Sequence, residues 1–226
     1  MKKNKTNVSQ ARTAYGMIAP SMLIIVGLGF FPVLFTLWFS LNDVNPGSLA
    51  TDFIGLKNYT EILTTDAFWN SLKITLYFSL MSVVVQIVLG TLASMLLNQN
   101  FKGRGFVRGI MLIPWAVPTI VNANLWKWIF NANAGILNKV LLKLHLINEN
   151  VVWLGNGKLA INMIILSDTW KMLPLVIIML LAGLQTVSND VKEASIIDGA
   201  NAWQRFKTVY FPALKPMYIV VLVLRT

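Results

Sequence analysis

The sequence predicts an all-α, polytopic helical membrane protein, and three observations carry that prediction. Of 226 residues, 56% are hydrophobic and only 12% charged, with a mean hydropathy of +0.63, whereas soluble domains carry about 25% charged residues. The apolar residues gather in long runs of membrane-spanning length. The formal charge of +10 sits in short basic clusters between those runs, which is how a bilayer orients helices and not how a chain binds nucleic acid. The chain contains no Cys and one His, His145. No disulfide framework, metal site or cofactor is therefore expected, and His145 reads as a solvated loop residue.

The elements follow in chain order. Lys2, Lys3, Lys5 and Arg12 mark residues 1–16 as a basic N-terminal segment. An apolar run from about Met17 to Leu41, interrupted by Pro20 and Pro32, exceeds the roughly 7–15 residues of a signal-peptide core and reads as a retained span. Residues 42–70 form a polar connection with acidic excess, in which Asn58-Tyr59-Thr60 matches a glycosylation triplet to which no role is assigned. A second span covers about Leu72 to Leu97, followed by the basic connection 98–108. The third, about Gly109 to Phe130, contains Pro114 and Pro118; these remove backbone donors and predict a kinked or locally unwound helix. Trp126-Lys127-Trp128 reads as an interfacial belt. Segment 131–158 leads to a fourth span, about Leu159 to Leu184, and a polar stretch at 188–215. Met217 to Leu224 is an apolar run of eight, closed by Arg225, which predicts four complete spans and the start of a fifth, as in a fragment or a truncated gene product. The N-terminus, the 98–108 connection and the 188–215 loop hold eleven of the nineteen basic residues, so the N-terminus is expected to be cytoplasmic.

The loop at about 188–216 carries the most information. Asp190 and Glu193 stand three apart, as in a capping box. Val191, Ala194 and Ile197 follow at helical spacing, and Gly199 sits where a helix end favours the left-handed conformation. Trp203, Phe206 and Tyr210 share one face of a second short helix that Pro212 is expected to stop. The periodicity fits either a helix offered to a soluble partner or an amphipathic helix lying on membrane lipid.

Glu193-Ala194-Ser195, then Asp198-Gly199-Ala200, with Phe206, Pro212, Leu214 and Pro216 at these spacings, resembles the cytoplasmic Glu-Ala-Ala loop of binding-protein-dependent ABC import permeases. Ser195 stands where that family usually has Ala. Phe53-Ile54-Gly55-Leu56-Lys57-Asn58-Tyr59, Pro114-Trp115 with Pro118, Trp153-Leu154 and Ala182-Gly183-Leu184-Gln185 are similar to the carbohydrate-uptake branch. The resemblance implies a type I ABC importer permease fold with a six-helix core, of which residues 17–226 are expected to lack about one and a half helices at the C-terminal end. It also implies a bacterial plasma-membrane location and docking of the loop, through Glu193, Ala194, Ser195, Asp198, Gly199 and Ala200, onto an ATPase subunit dimer. A second homologous permease, an extracellular solute-binding protein and a sugar or polyol substrate are implied with it. Gly155-Asn156-Gly157-Lys158-Leu159 is the nearest approach to a phosphate loop and lacks both the spacing and the hydroxyl, so ATP hydrolysis is expected of the partner. The other readings are an ion-coupled secondary transporter or channel, a membrane-embedded assembly protein, and an inactive remnant of a permease; the first two need no small-residue coupling helix.

Candidate translocation-path residues are polar groups within apolar spans. Asp168 and Lys171 are the only charges in the fourth, three apart on one helix face, with Trp170 between them. They read either as a surface for a polar solute, with Trp170 stacking on a sugar ring, or as a structural pair near the membrane interface. Asn122, Asn124 and Gln86 are the remaining candidates, and interhelical hydrogen bonding explains each equally well.

Overall fold

The computed structural model describes residues 3–44 and 51–226, with side chains at 10–43 and 52–226. Lys2, one of the N-terminal basic residues, and positions 45–50 of the acidic connection lie outside the described residues. The chain divides into two compact units, Met1–Leu72 and Lys73–Thr226.

In the first unit, α1 (Lys3–Ile24), a π-helical turn (Ile25–Phe30) and α2 (Phe31–Ser40) run in succession. Gln10–Ser40 is long and apolar enough to cross a membrane, and its apolar side chains from Met17 to Trp38 are exposed, as suits a helix whose solvent is lipid. The helix therefore starts inside the basic segment, ahead of the apolar run. The connection read as polar loop contains two short antiparallel strands, β1 (Asn42–Val44) and β2 (Thr51–Phe53), and a helix, α3 (Lys57–Thr64). Asn58 fixes this piece by donating through Nδ2 to the carbonyls of Ser40 (3.0 Å) and Asn42 (3.1 Å), while the Tyr59 and Ser40 hydroxyls meet at 2.6 Å. Gly55 supplies the φ of +62° that the turn before α3 requires.

The second unit is built on three helices. These are α4 (Asp66–Leu97, which begins in the first unit), α8 (Gly157–Gln185) and the final helix, made of α10 (Ala202–Arg205), a π-helical turn (Phe206–Tyr210) and α11 (Phe211–Arg225). Tyr77 Oη donates to Asn162 Oδ1 (2.9 Å) and Gln86 meets Asp168 further along, so α4 and α8 run parallel. Tyr218 pairs with Thr91 and Arg225 with Gln86, so α11 runs antiparallel to both. Val176, Leu180, Leu184, Leu214 and Val221 form the buried core. Glycines let the backbones approach at two crossings: a Cβ at Gly90 would lie 2.8 Å from Val176 Cγ1, and one at Gly183 2.9 Å from Met217 Cγ.

The third span is locally unwound at its prolines, as expected, into two helices, α5 (Arg104–Ala116) and α6 (Thr119–Ile129), bent by 93°. Val117 and Pro118 adopt extended ψ values of 126° and 143°, as the residue before a proline and the ring itself favour. The expectation for Pro212 is corrected: it does not stop a helix. It lies in the first turn of α11, where its missing N–H costs least, and the wider π turn before it lets Ala202–Arg225 run as one apolar stretch of 24 residues. Among the described residues four helices are long and apolar enough to cross a membrane, or five if the bent pair is one span.

The remaining element is α7 (Ile136–Lys143), within 131–158. Its Asn138 is 1% exposed and satisfied on every side. Nδ2 donates to the carbonyls of Ala132 (2.9 Å) and Val151 (3.0 Å), and Oδ1 accepts from Val151 N (3.2 Å) and Trp153 Nε1 (2.9 Å). That one side chain gives Trp153 its place. His145 is exposed, as expected.

Candidate functional site

The loop after α8 forms α9 (Asn189–Ile197), closed at both ends by its own sequence. The N-cap is Ser188, whose Oγ accepts from Val191 N (3.4 Å). The expected capping box from Asp190 to Glu193 does not form, because Asp190 already lies in the first helical turn, where its charge suits the helix dipole. At the other end Gly199 has a φ of +73°, its N–H donates to Ile196 O (3.0 Å), and Ala200 N–H donates to Ser195 O (3.1 Å). This bond pair is a Schellman motif, which needs the left-handed residue that glycine supplies. The capping box belongs instead to α10, where Asn201 and Gln204 satisfy each other's backbone N–H at 2.9 and 2.8 Å.

Of the six loop candidates, Glu193, Ala194, Asp198 and Gly199 are exposed, and Ser195 and Ala200 half-buried. Ile196 and Ile197 are also exposed, Ile197 by 85%. Phe206 and Tyr210 pack against the core, whereas Trp203 stacks on Phe206 from outside, with ring centroids 5.6 Å apart. The result is a small, rigid, partly apolar helix presented outward.

Two candidates in the helices come together with a residue that sequence reasoning missed. Gln86, fully buried, donates through Nε2 to Asp168 Oδ2 (3.0 Å) and accepts from Arg225 Nε (3.0 Å), and Arg225 closes an ion pair onto the same carboxylate oxygen. The three residues join α4, α8 and α11. Asp168 and Lys171 are therefore not a structural pair. Lys171, 8% exposed, donates to Thr119 Oγ1 at the start of α6. Arg225 had one signal in the sequence: Asp168 is the only acid deep in an apolar span, and such a charge needs a cation.

Trp170 meets Trp126 edge to face at 5.9 Å, and Trp126 packs on Phe130, so Trp126 lies half-buried between helices while Trp128 is 73% exposed. Trp126 thus makes contacts inside the fold that the belt reading did not call for. Asn122 is buried with its Oδ1 unpartnered, and Asn124 bonds back to Ile120 O on its own helix. Asn124 is thus apart from the others. The arrangement offers donors and acceptors among aromatic rings and can hydrogen-bond a polar solute. Among the described residues no cluster could hold a metal ion.

The family of binding-protein-dependent transport system inner membrane components matches residues 86–226. The chain is 40% identical over 223 residues to the trehalose/maltose transport system permease protein MalF of Thermococcus litoralis, covering 99% of this chain and 75% of that protein. It is 31% identical over 224 residues to the trehalose transport system permease protein SugA of Mycobacterium tuberculosis, covering 98% and 70%. Its fold is similar to a chain in the crystal structure of a bacterial ABC transporter involved in the import of the acidic polysaccharide alginate, with a TM-score of 0.79 at 22% identity over 97% of this chain and 74% of that one. With membrane-length helices, an inward cluster of polar groups and an outward-facing loop helix, this chain belongs to the binding-protein-dependent transport system inner membrane components, as a multi-pass permease subunit of an ABC-type importer.

Proposed function

We propose that residues 17–226 form a translocation path for a sugar or related polyol, and that α9 couples this path to a separate ATPase dimer. A second homologous permease completes the path, and an extracellular binding protein delivers the solute. In this reading residues 1–16 and the loop at 188–216 lie in the cytoplasm. Closure of the ATPase dimer on ATP pulls α9, and the helices reorient from outward- to inward-facing. The observation that carries the reading is the doubly capped α9 with exposed Ile196 and Ile197. A helix held rigid by its own caps transmits displacement, whereas an amphipathic helix lying on lipid needs no such closure. The sugar class is supported by the names of the two permease relatives and by the polar and aromatic side chains between the helices, Gln86, Asp168, Trp170, Lys171 and Asn122.

The test begins with a tagged chain purified from native membranes, the co-purifying proteins being identified by mass spectrometry. An ATPase, a second permease and a binding protein are expected; recovery of the chain alone would count against the reading. Gly199→Val then separates coupling from folding. A Cβ at Gly199 meets nothing within 4 Å, so the substitution strains only the backbone, by about 1–2 kcal/mol. Solute-stimulated ATP hydrolysis should fall about 5- to 30-fold, by the same arithmetic, with membrane insertion unchanged. Normal stimulation in that variant would remove α9 from the coupling role.

A further inference from the structure

At the end of the second unit where α4 closes and α9 begins, two cavities share a wall. The first, of about 480 Å³, has a polar set of side chains, Asn98, Gln99 and Asn100 with Asn189, Lys192 and Arg205, alongside the apolar Met95, Leu184 and Ala202. The second, of about 800 Å³, is an apolar groove between α4 and the final helix, lined by Ile87, Val88 and Leu92 opposite Trp203, Phe206 and Phe211. Met95 and Ala202 line both, so the two adjoin.

The charges of the polar cavity are unbalanced. No acidic residue lines it. Lys192 reaches only the neutral Asn189 side chain, at 3.3 Å, and the buried Nε of Arg205 has no hydrogen-bond partner. A third cavity, of about 470 Å³, shares Asn98, Asn100, Asn189 and Lys192 with the first and adds the guanidinium of Arg104. The apolar groove runs from this basic end toward the middle of α4. Ile87 to Met95 covers about 12 Å at the helical rise, close to the thickness of one leaflet of a roughly 30 Å hydrocarbon core.

We propose that this composite site binds one anionic phospholipid. The phosphate rests between Lys192 and Arg205, its headgroup meets the amides of Asn98 and Asn100, and an acyl chain lies in the groove along α4. Basic pockets between helix ends at the membrane surface suit anionic headgroups, and arginine binds phosphate oxygens through paired N–H donors. A zwitterionic lipid brings the same phosphate together with a cationic group, which Lys192 and Arg205 repel. A helix of another protein would cover the groove and leave the cavity empty. The site is separate from the exposed face of α9, because Ile196 and Ile197 line neither cavity.

The test is native mass spectrometry of the full-length chain in detergent, titrated with phosphatidylglycerol and with phosphatidylcholine of matched acyl chains. Phosphatidylglycerol should be retained about tenfold more strongly, the effect of two facing cations. A combined Lys192→Gln and Arg205→Gln variant should erase that preference. Val88→Trp, which fills the groove from its exposed edge, should weaken retention of both lipids. Inorganic phosphate in excess should displace neither. Equal retention of the two lipids overturns the proposal, as does displacement by phosphate, which would indicate a free-anion site. Loss of the lipid whenever a second permease co-purifies would assign the groove to a partner helix and overturn it as well. A photoactivatable phosphatidylglycerol gives a readout that needs no variant: it should label the unmodified chain within 87–95 and 202–211, and labelling elsewhere also refutes the site.

Discussion

Arg225 and Asp168 stand 57 residues apart and meet inside the helix bundle, with their side chains 15% and 22% exposed. At that burial the pair is a constraint more than a source of stability: ions lose hydration on burial, and partners regain it only while both are present. Gln86 completes the triangle by donating to Asp168 and accepting from Arg225. Arg225→Leu alone should therefore lower stability by about 2–3 kcal/mol, the residual exposure softening the loss, because it leaves Asp168 uncompensated. Asp168→Leu alone should cost a similar amount, and the double replacement should recover most of it. Thermal unfolding of the four proteins in detergent gives the coupling directly; additive losses would mean that the two groups act independently. Spacing along the sequence relates only neighbours on one helix, so it set Asp168 beside Lys171, a pair the fold does not form, and missed Arg225, whose one signal was the need of a buried carboxylate for a cation. Asn138 was hidden for the same reason: its four bonds reach from Ala132 to Trp153. Gly199 was legible because its requirement is local, a left-handed φ at a helix end.

The first span and the final helix share a device at one proline each. A π-helical turn stands immediately before a Phe-Pro pair in each: Phe31 N–H donates to Val26 O before Pro32, and Phe211 N–H to Phe206 O before Pro212. A proline ring clashes with the carbonyl four residues back. A turn widened to a five-residue bond moves that carbonyl aside, so the helix continues. Proline alone reads as a stop, so Pro212 was expected to end a short helix and the next apolar span to begin at Met217, whereas one helix runs on from Ala202. At Pro118 the same residue type ends a helix, because Val117 is extended before it. Packing of the final helix on α8 depends on Gly183. Its nearest neighbours on gaining a Cβ are the flexible Met217 side chain at 2.9 Å and the fixed Ala213 carbonyl at 3.4 Å. Gly183→Ala should cost under about 1 kcal/mol, since Met217 can move; Gly183→Val should cost about 1–3 kcal/mol, since the carbonyl cannot. Melting temperatures in detergent should fall in that order, and equal values would show that the crossing tolerates bulk.

For the molecule as a whole, the positions of the basic residues and the directions of the helices agree. Parallel α4 and α8 bring the 98–108 connection and the loop at 188–201 to the same end, where both line one cavity. The chain between them must therefore return to the far end, and α5, α6 and α7 provide that return although α5 and α6 are bent by 93°. A single straight third span is not needed for the charge rule to hold. That rule places the shared end, rich in Lys and Arg, on the cytoplasmic side, and Lys57 and Lys143 on the opposite side. Because the sequence has no Cys, single cysteines report position without background. In intact cells a membrane-impermeant maleimide should label Lys57→Cys and Lys143→Cys, and should reach Lys102→Cys and Lys207→Cys only after permeabilisation. The reverse pattern would invert the protein while leaving its helix packing intact. Labelling of Lys102→Cys and Lys207→Cys from opposite sides would be the more serious result, since two helices bonded in parallel, Tyr77 to Asn162 and Gln86 to Asp168, cannot end on different faces of one membrane.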